Sequence, residues 1–157
     1  MKCYMGIDPG KSGGVAICYE NNISAHKCPE TEGDMYSLLE IMASAKDFEE
    51  IVVSLEHVWG FPSDSSKTAF TFGKNFGAWI TCLQIKELDY TLVTPRKWQY
   101  DFRVEKGMQK SERKRYLKTI AEQYVKKSEE PFRVTYSTAD AILIAIYTMK
   151  QLETLDT

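Results

Sequence analysis

The sequence predicts an α/β fold: a five-stranded mixed sheet, made of a three-strand meander extended by parallel strands, with helices on both faces. Three observations carry this reading. Short apolar runs near the N-terminus are separated by turn residues, the pattern of antiparallel hairpins. Further on, stretches with apolar residues at three-and-four spacing alternate with short β-branched runs, the order that generates crossovers between parallel strands. The segment 138–152 is apolar on nearly every side, which predicts a closing helix buried against the sheet.

Residues 2–8 and 14–20 read as two strands joined by the turn Pro9-Gly10-Lys11-Ser12-Gly13-Gly14, and 23–28 as a third after the Asn21-Asn22 turn. In 34–46, Met35, Leu38, Leu39, Met42 and Ala45 share one helical face. Ile51-Val52-Val53-Ser54-Leu55 is a buried strand ended by Glu56, and Trp59 to Ser65 is a loop. Residues 66–88 predict a long helix interrupted at Gly73 and Gly77, followed by a strand from Tyr90 to Val93. Pro95 opens a helical or irregular stretch, and 111–127 predicts a basic helix with Tyr116, Ile120, Ala121 and Tyr124 turned inward.

At 157 residues the chain fits a single domain, 1–157, large enough to bury a sizeable core. No stretch reaches the roughly 20 apolar residues of a membrane helix, and the N-terminus lacks the pattern of a signal peptide, so a soluble intracellular protein is expected. Cys3, Cys18, Cys28 and Cys82 are widely spaced and form no C-x-x-C pair, which predicts buried reduced thiols rather than zinc ligands.

The net charge of −2 conceals a segregation: residues 1–95 hold 7 Lys and Arg against 13 Asp and Glu, whereas 96–127 hold 11 against 4. Such a block is the footprint of a surface that binds a polyanion. Lys110, Arg113, Lys114, Arg115 and Lys118 crowd one and a half helical turns and, with Arg96 and Lys97, are candidate phosphate contacts that set affinity rather than sequence choice. Lys67, Lys74 and Lys11 are further candidates. Phe61, in a loop beside Glu56, has the character of a wedge that unstacks bases. Phe70, Phe72, Phe76 and Trp79 give the long helix more apolar surface than one sheet face covers, which predicts a face shared by two copies in a homodimer.

Asp8 ends the first strand at the glycine turn, where the space beside the carboxylate stays free of side chains. In the expected sheet, the strand ending at Glu56 lies parallel beside it, so both acids emerge at one edge, where open α/β sheets bind ligands. Asp140 sits just inside the final helix. Ser137 and Asp140 have the spacing of a capping box, so Asp140 is expected either to cap that helix or to join the other two acids. Three acids on one edge repel each other unless a cation lies between them, and hard Mg²⁺ suits carboxylate oxygens and phosphate. Hydrolysis of a phosphodiester by metal-activated water follows, with a second ion about 3.5–4 Å away stabilising the leaving 3′ oxygen.

Taken in order, Gly6-Ile7-Asp8-Pro9-Gly10 with Ser12-Gly13-Gly14, then Leu55-Glu56, then Ala139-Asp140-Ala141-Ile142-Leu143-Ile144-Ala145, resemble the RNase H-like fold and, within it, the RuvC-type Holliday junction resolvases. Phe70 to Trp79 and Val93-Thr94-Pro95-Arg96-Lys97-Trp98 are most similar to the subgroup of phage enzymes and the plastid junction resolvase. The resemblance implies a homodimeric endonuclease that resolves four-way DNA junctions by paired symmetric nicks, with Asp8, Glu56 and Asp140 as catalytic metal ligands for two Mg²⁺ ions, or Mn²⁺ in their place. It implies a cytoplasmic setting, in a bacterium or a phage-infected cell. The sequence departs from the family where an acid or histidine commonly precedes the last carboxylate by three or four positions, because Ser137 and Tyr136 stand there. Ser137 is therefore expected behind the ligands or in the helix cap, and the alternative function is a non-catalytic branched-DNA binding module that keeps the nuclease fold. A sugar-kinase or actin-like reading of the glycine turn needs two domains and a second phosphate loop, for which the chain is too short.

Overall fold

Alternation along the first strand decides how the molecule is layered. In the computed structural model, which describes residues 1–154, β1 (Lys2–Asp8) turns Cys3, Met5 and Ile7 to one face of the sheet and Tyr4 to the other. Residues 155–157 of the expected domain lie outside the described residues. β2 (Gly14–Tyr19) and β3 (Asn22–Lys27) complete the antiparallel meander. β4 (Glu50–Glu56) pairs parallel with β1, and β5 (Tyr90–Val93) parallel with β4, in the order β3-β2-β1-β4-β5. The expected five-stranded mixed sheet is the one observed.

Helices cover both faces. On the Cys3, Met5 and Ile7 side, α1 (Glu32–Ala43) contributes Met35, Leu39 and Met42, and α2 (Ser66–Ile85) contributes Trp79, Cys82 and Leu83. Opposite, α5 (Tyr136–Glu153) lies across β1 and β2, flanked by α3 (Pro95–Asp101) and α4 (Lys110–Val125). From Ala141 to Thr148 every side chain of α5 is buried, as its continuous apolar sequence requires. A buried hydroxyl pair, with Thr148 Oγ1 2.8 Å from Ser54 Oγ, ties that helix to β4.

Several expectations need correction. α2 passes through Gly73 and Gly77 without a break, because the hydrogen bonds of a 20-residue helix outweigh the roughly 1 kcal/mol cost of each glycine. Trp79, expected at a face between copies, is fully buried in the chain's own core. On α4 the deepest positions are Leu117, Ala121 and Val125, while Tyr116, Ile120 and Tyr124 flank them half-buried. All four cysteines are free and buried, as expected. Among the described residues no helix is long and apolar enough to cross a membrane.

Candidate active site

The register of β1 and β4 brings the first two acids together. Ile7 pairs with Leu55, so Asp8 and Glu56 follow at the ends of neighbouring parallel strands, whose spacing is about 4.8 Å. Alternation then directs both to the α5 side, since Ile7 and Leu55 belong to the opposite core. Pro9 and the glycines turn the chain away at this point. Gly10 holds φ at +113°, a conformation that favours glycine, and its N–H donates to Asn75 Oδ1 of α2 at 2.7 Å.

Asp140 reaches the same place from α5. The expected Ser137–Asp140 box is not the one formed. Thr138 Oγ1 accepts from the Thr135 backbone N–H at 3.1 Å, so a Thr135–Thr138 box starts the helix two residues earlier. Asp140 is thereby released from capping and stands one turn inside the helix, facing the sheet edge. Ser137 neither caps the helix nor lines the pocket; its backbone carbonyl packs against Gly14.

Asp8, Glu56 and Asp140 line one pocket of about 790 Å³, with Lys11, Phe61, Lys67, Lys110, Arg113 and Lys114 at its walls. The electrostatics record the convergence. Burial raises Asp8 well above the usual carboxylate range, and the charges of Glu56 and Asp140 raise it further. Glu56 is pushed up to about 7, by burial first and by Asp140 as well, against the lowering effect of hydrogen bonds from Trp98 and Asp8. Burial pushes Asp140 up to about 6, opposed by the cations of Lys114 and Arg113. The interaction between Asp8 and Glu56 raises Asp8 and lowers Glu56.

Among the described residues no group of three or more His, Cys, Asp or Glu side chains stands ready-formed around an ion position. The donor set nevertheless suits a hard divalent cation: three carboxylates from three elements line the pocket, and a cation among them would relieve the repulsion that raises Asp8 and Glu56.

The remaining predicted residues divide by location. Lys67 and Lys11 are exposed at the pocket wall. Lys74 is outside it, 3.1 Å from Glu32 of α1. Arg96 and Lys97 are exposed on the outer side of α3, beside a separate shallow cavity with Tyr100 and Gln151. Arg115 points to solvent, and Lys118 pairs with Glu122 and rests over the Tyr136 ring. Phe72 closes on Gly10 at the pocket rim, Phe76 is half-buried in the α1/α2 core, and Phe70 is 75% exposed. Two residues with a part in the site were not singled out from sequence: Asn75, which holds the Gly10 turn, and Trp98, whose Nε1–H donates to Glu56 Oε2 at 2.6 Å. Trp98 stood in a motif that carried the family resemblance, which was its only signal; Asn75 gave none beyond its place in the Phe70 to Trp79 run.

No protein-family model matches the sequence, and no curated protein sequence does. Solved structures do match. The structure of Thermus thermophilus RuvC in complex with Holliday junction substrate is similar with a TM-score of 0.61 at 15% identity, over 98% of this chain and 96% of that one. A structure of Thermus thermophilus RuvC gives 0.59 at 15% identity, over 97% and 96%. The fold is RuvC-like and RNase H-like.

Proposed function

We propose that this protein is a divalent-metal-dependent, structure-selective DNA endonuclease that resolves four-way junctions by paired symmetric nicks, of the kind found in the phage and plastid subgroup of RuvC-type enzymes. The single observation that carries the reading is the meeting of Asp8, Glu56 and Asp140, far apart in sequence, in one pocket walled by the basic helix α4. Its support is the RuvC-like fold, which one relative presents bound to a Holliday junction.

Asp8, Glu56 and Asp140 would hold Mg²⁺ or Mn²⁺; the bound ions would activate water for attack on the phosphodiester and stabilise the leaving 3′ oxygen. Arg113, Lys114 and Lys110 draw the scissile phosphate into the pocket, and Lys11 and Lys67 meet the backbone on the opposite wall. Two copies pair through the α2 face that carries Phe70, with nothing within 4 Å of a side chain placed at Gly73 or Gly77, and so present two pockets to a two-fold substrate. A monomeric mass in sedimentation across the micromolar range would refute the pairing.

The deciding experiment is incubation of a labelled four-way junction with the protein and Mg²⁺, beside linear, flap and Y-shaped controls. Paired nicks in the junction alone are expected, lost in Asp8→Asn, Glu56→Gln and Asp140→Asn with junction binding retained. Equal rates on all four substrates would make the protein a general nuclease. One observation favours a second reading, a branched-DNA binding module: Ser137 and Tyr136 occupy positions where the resemblance leads one to expect a fourth ligand. Junction binding without any nicking in Mg²⁺ or Mn²⁺ would establish it.

A further inference from the structure

Glu56 is the most enclosed of the three acids, 8% exposed at the end of β4, and a long side chain in that position has three bonds about which to turn. A ligand that rotates freely is a poor ligand. Among the described residues, the one hydrogen-bond partner of its side chain outside the acid cluster is Trp98 of α3, whose ring is 0% exposed and whose Nε1–H meets Oε2 at 2.6 Å, short for an N–H···O bond and in keeping with a charged acceptor.

The donor is itself well anchored. α3 begins with Pro95 at its first turn, where the fixed φ suits a helix start, and it follows β5 directly; Val93 of β5 is the register partner of Glu56. Donor and acceptor thus leave adjacent strands of one sheet. The indole also packs edge-on against Phe102, with ring centroids 6.3 Å apart. An indole nitrogen can only donate, so it cannot swap roles or take a proton from the acid.

Resting on the proposed nuclease reading, we propose that Trp98 is a positioning residue for metal binding: it holds Oε2 of Glu56 from the core side and leaves Oε1 as the oxygen offered to the ion in the pocket. Partners of ligand side chains that play this part typically change metal affinity or activity 10–100-fold when removed. The core-packing role of the ring and the positioning role of its N–H are separable, because phenylalanine keeps most of the apolar volume and lacks the donor.

The test is Trp98→Phe, with a second variant carrying 3-benzothienylalanine at the position, which reproduces the indole outline with sulfur in place of N–H and keeps the question open to experiment if phenylalanine prevents folding. Mg²⁺ affinity is measured calorimetrically on the DNA-free protein, and nicking of a four-way junction as a function of Mg²⁺ concentration. Roughly 10–100-fold weaker Mg²⁺ uptake is expected in both variants, with the half-saturating Mg²⁺ concentration for nicking raised in step, the maximal rate largely recovered at high Mg²⁺, and metal-free junction binding unchanged. A variant that folds and matches the parent in Mg²⁺ affinity overturns the positioning role while leaving the nuclease reading intact. So does a rate loss that no Mg²⁺ concentration relieves. A parent protein that takes up no divalent ion overturns both.

Discussion

Between Gly6 of β1 and Ala141 of α5 there is no room for a methyl group: a Cβ on Gly6 would lie 2.4 Å from the Ala141 carbonyl oxygen and 2.4 Å from the Ala145 nitrogen. Both obstacles are backbone, so neither can rotate away. Gly6 stands two residues before Asp8, and Ala141 directly follows Asp140, so this contact sets how closely the two acids meet. Gly6→Ala should therefore push α5 off the sheet, with an overpacking cost of about 1–3 kcal/mol or more. Calorimetry should register a fall of several degrees in the midpoint, and nicking should be lost even in the fraction that folds. An unchanged midpoint would mean that the helix is not seated as described.

The acid cluster makes stability depend on pH in an unusual direction. Asp8, Glu56 and Asp140 all bind protons more tightly in the folded chain than an ordinary carboxylate does, chiefly through burial. Groups raised in this way contribute stability that is fully present below the unfolded pKa, near 4, and is lost as pH rises through the folded values, about 6 for Asp140 and about 7 for Glu56. Each unit of difference corresponds to about 1.4 kcal/mol per group. The metal-free protein should melt at a falling temperature from about pH 5 to about pH 8. Asp140→Asn should raise the midpoint near pH 8, have little effect near pH 4, and abolish the recovery that Mg²⁺ gives the parent. A parent midpoint that climbs over this range would contradict the burial of charge at the site.

The cations of α4 should separate by where they point. Lys114 lowers the proton affinity of both Asp8 and Asp140, so it faces the acids, whereas Lys118 is already engaged by Glu122. Lys114→Ala should weaken junction binding, reduce the slope of log affinity against log salt by about 1, and move the nicking pH profile to higher pH as the acids retain their protons longer. Lys118→Ala should change the slope less. Equal slopes for the two variants would remove the distinction between pocket-facing and paired lysines.

How far the sequence could be read depended on the range of the interaction. The sheet order was legible because period-two and helical patterns, turn residues and right-handed crossover rules act locally and allow few topologies; Asp8 and Glu56 followed from the strands that carry them. Asp140 was visible as an acid at a helix start, but its freedom was not. Ser137-x-x-Asp140 and Thr135-x-x-Thr138 both have capping spacing, and the local sequence does not say which of them starts the helix; the earlier pair does. Trp79 illustrates the opposite difficulty: a helix rich in aromatics does not disclose which of them its own core takes until α1 packs beside it, and α1 took Trp79 while leaving Phe70 outside. The Trp98–Glu56 bond spans 42 residues and depends on how β5 leads into α3, which no local pattern encodes.

The loop after Glu56 carries the last prediction. His57, Trp59 and Phe61 form a row of rings, with centroids 5.4 Å apart for the first pair and 6.1 Å for the second, and His57 lies 6.1 Å from Phe76 at the edge of the core. The outer two are exposed, Trp59 at 50% and Phe61 at 58%, and Phe61 lines the pocket. Rings held this far out of the core add little to folding, so Phe61→Ala should alter stability by no more than about 0.5 kcal/mol. Stacking of a base on an aromatic ring is worth about 1–3 kcal/mol, so the same change should weaken binding of an opened junction by about tenfold and slow nicking to match. A fluorescent base analogue at the junction centre should brighten on binding the parent and stay quenched with Phe61→Ala. If Trp59→Ala removes that signal and Phe61→Ala does not, Trp59 is the residue that parts the bases, and Phe61 serves only as its support in the row.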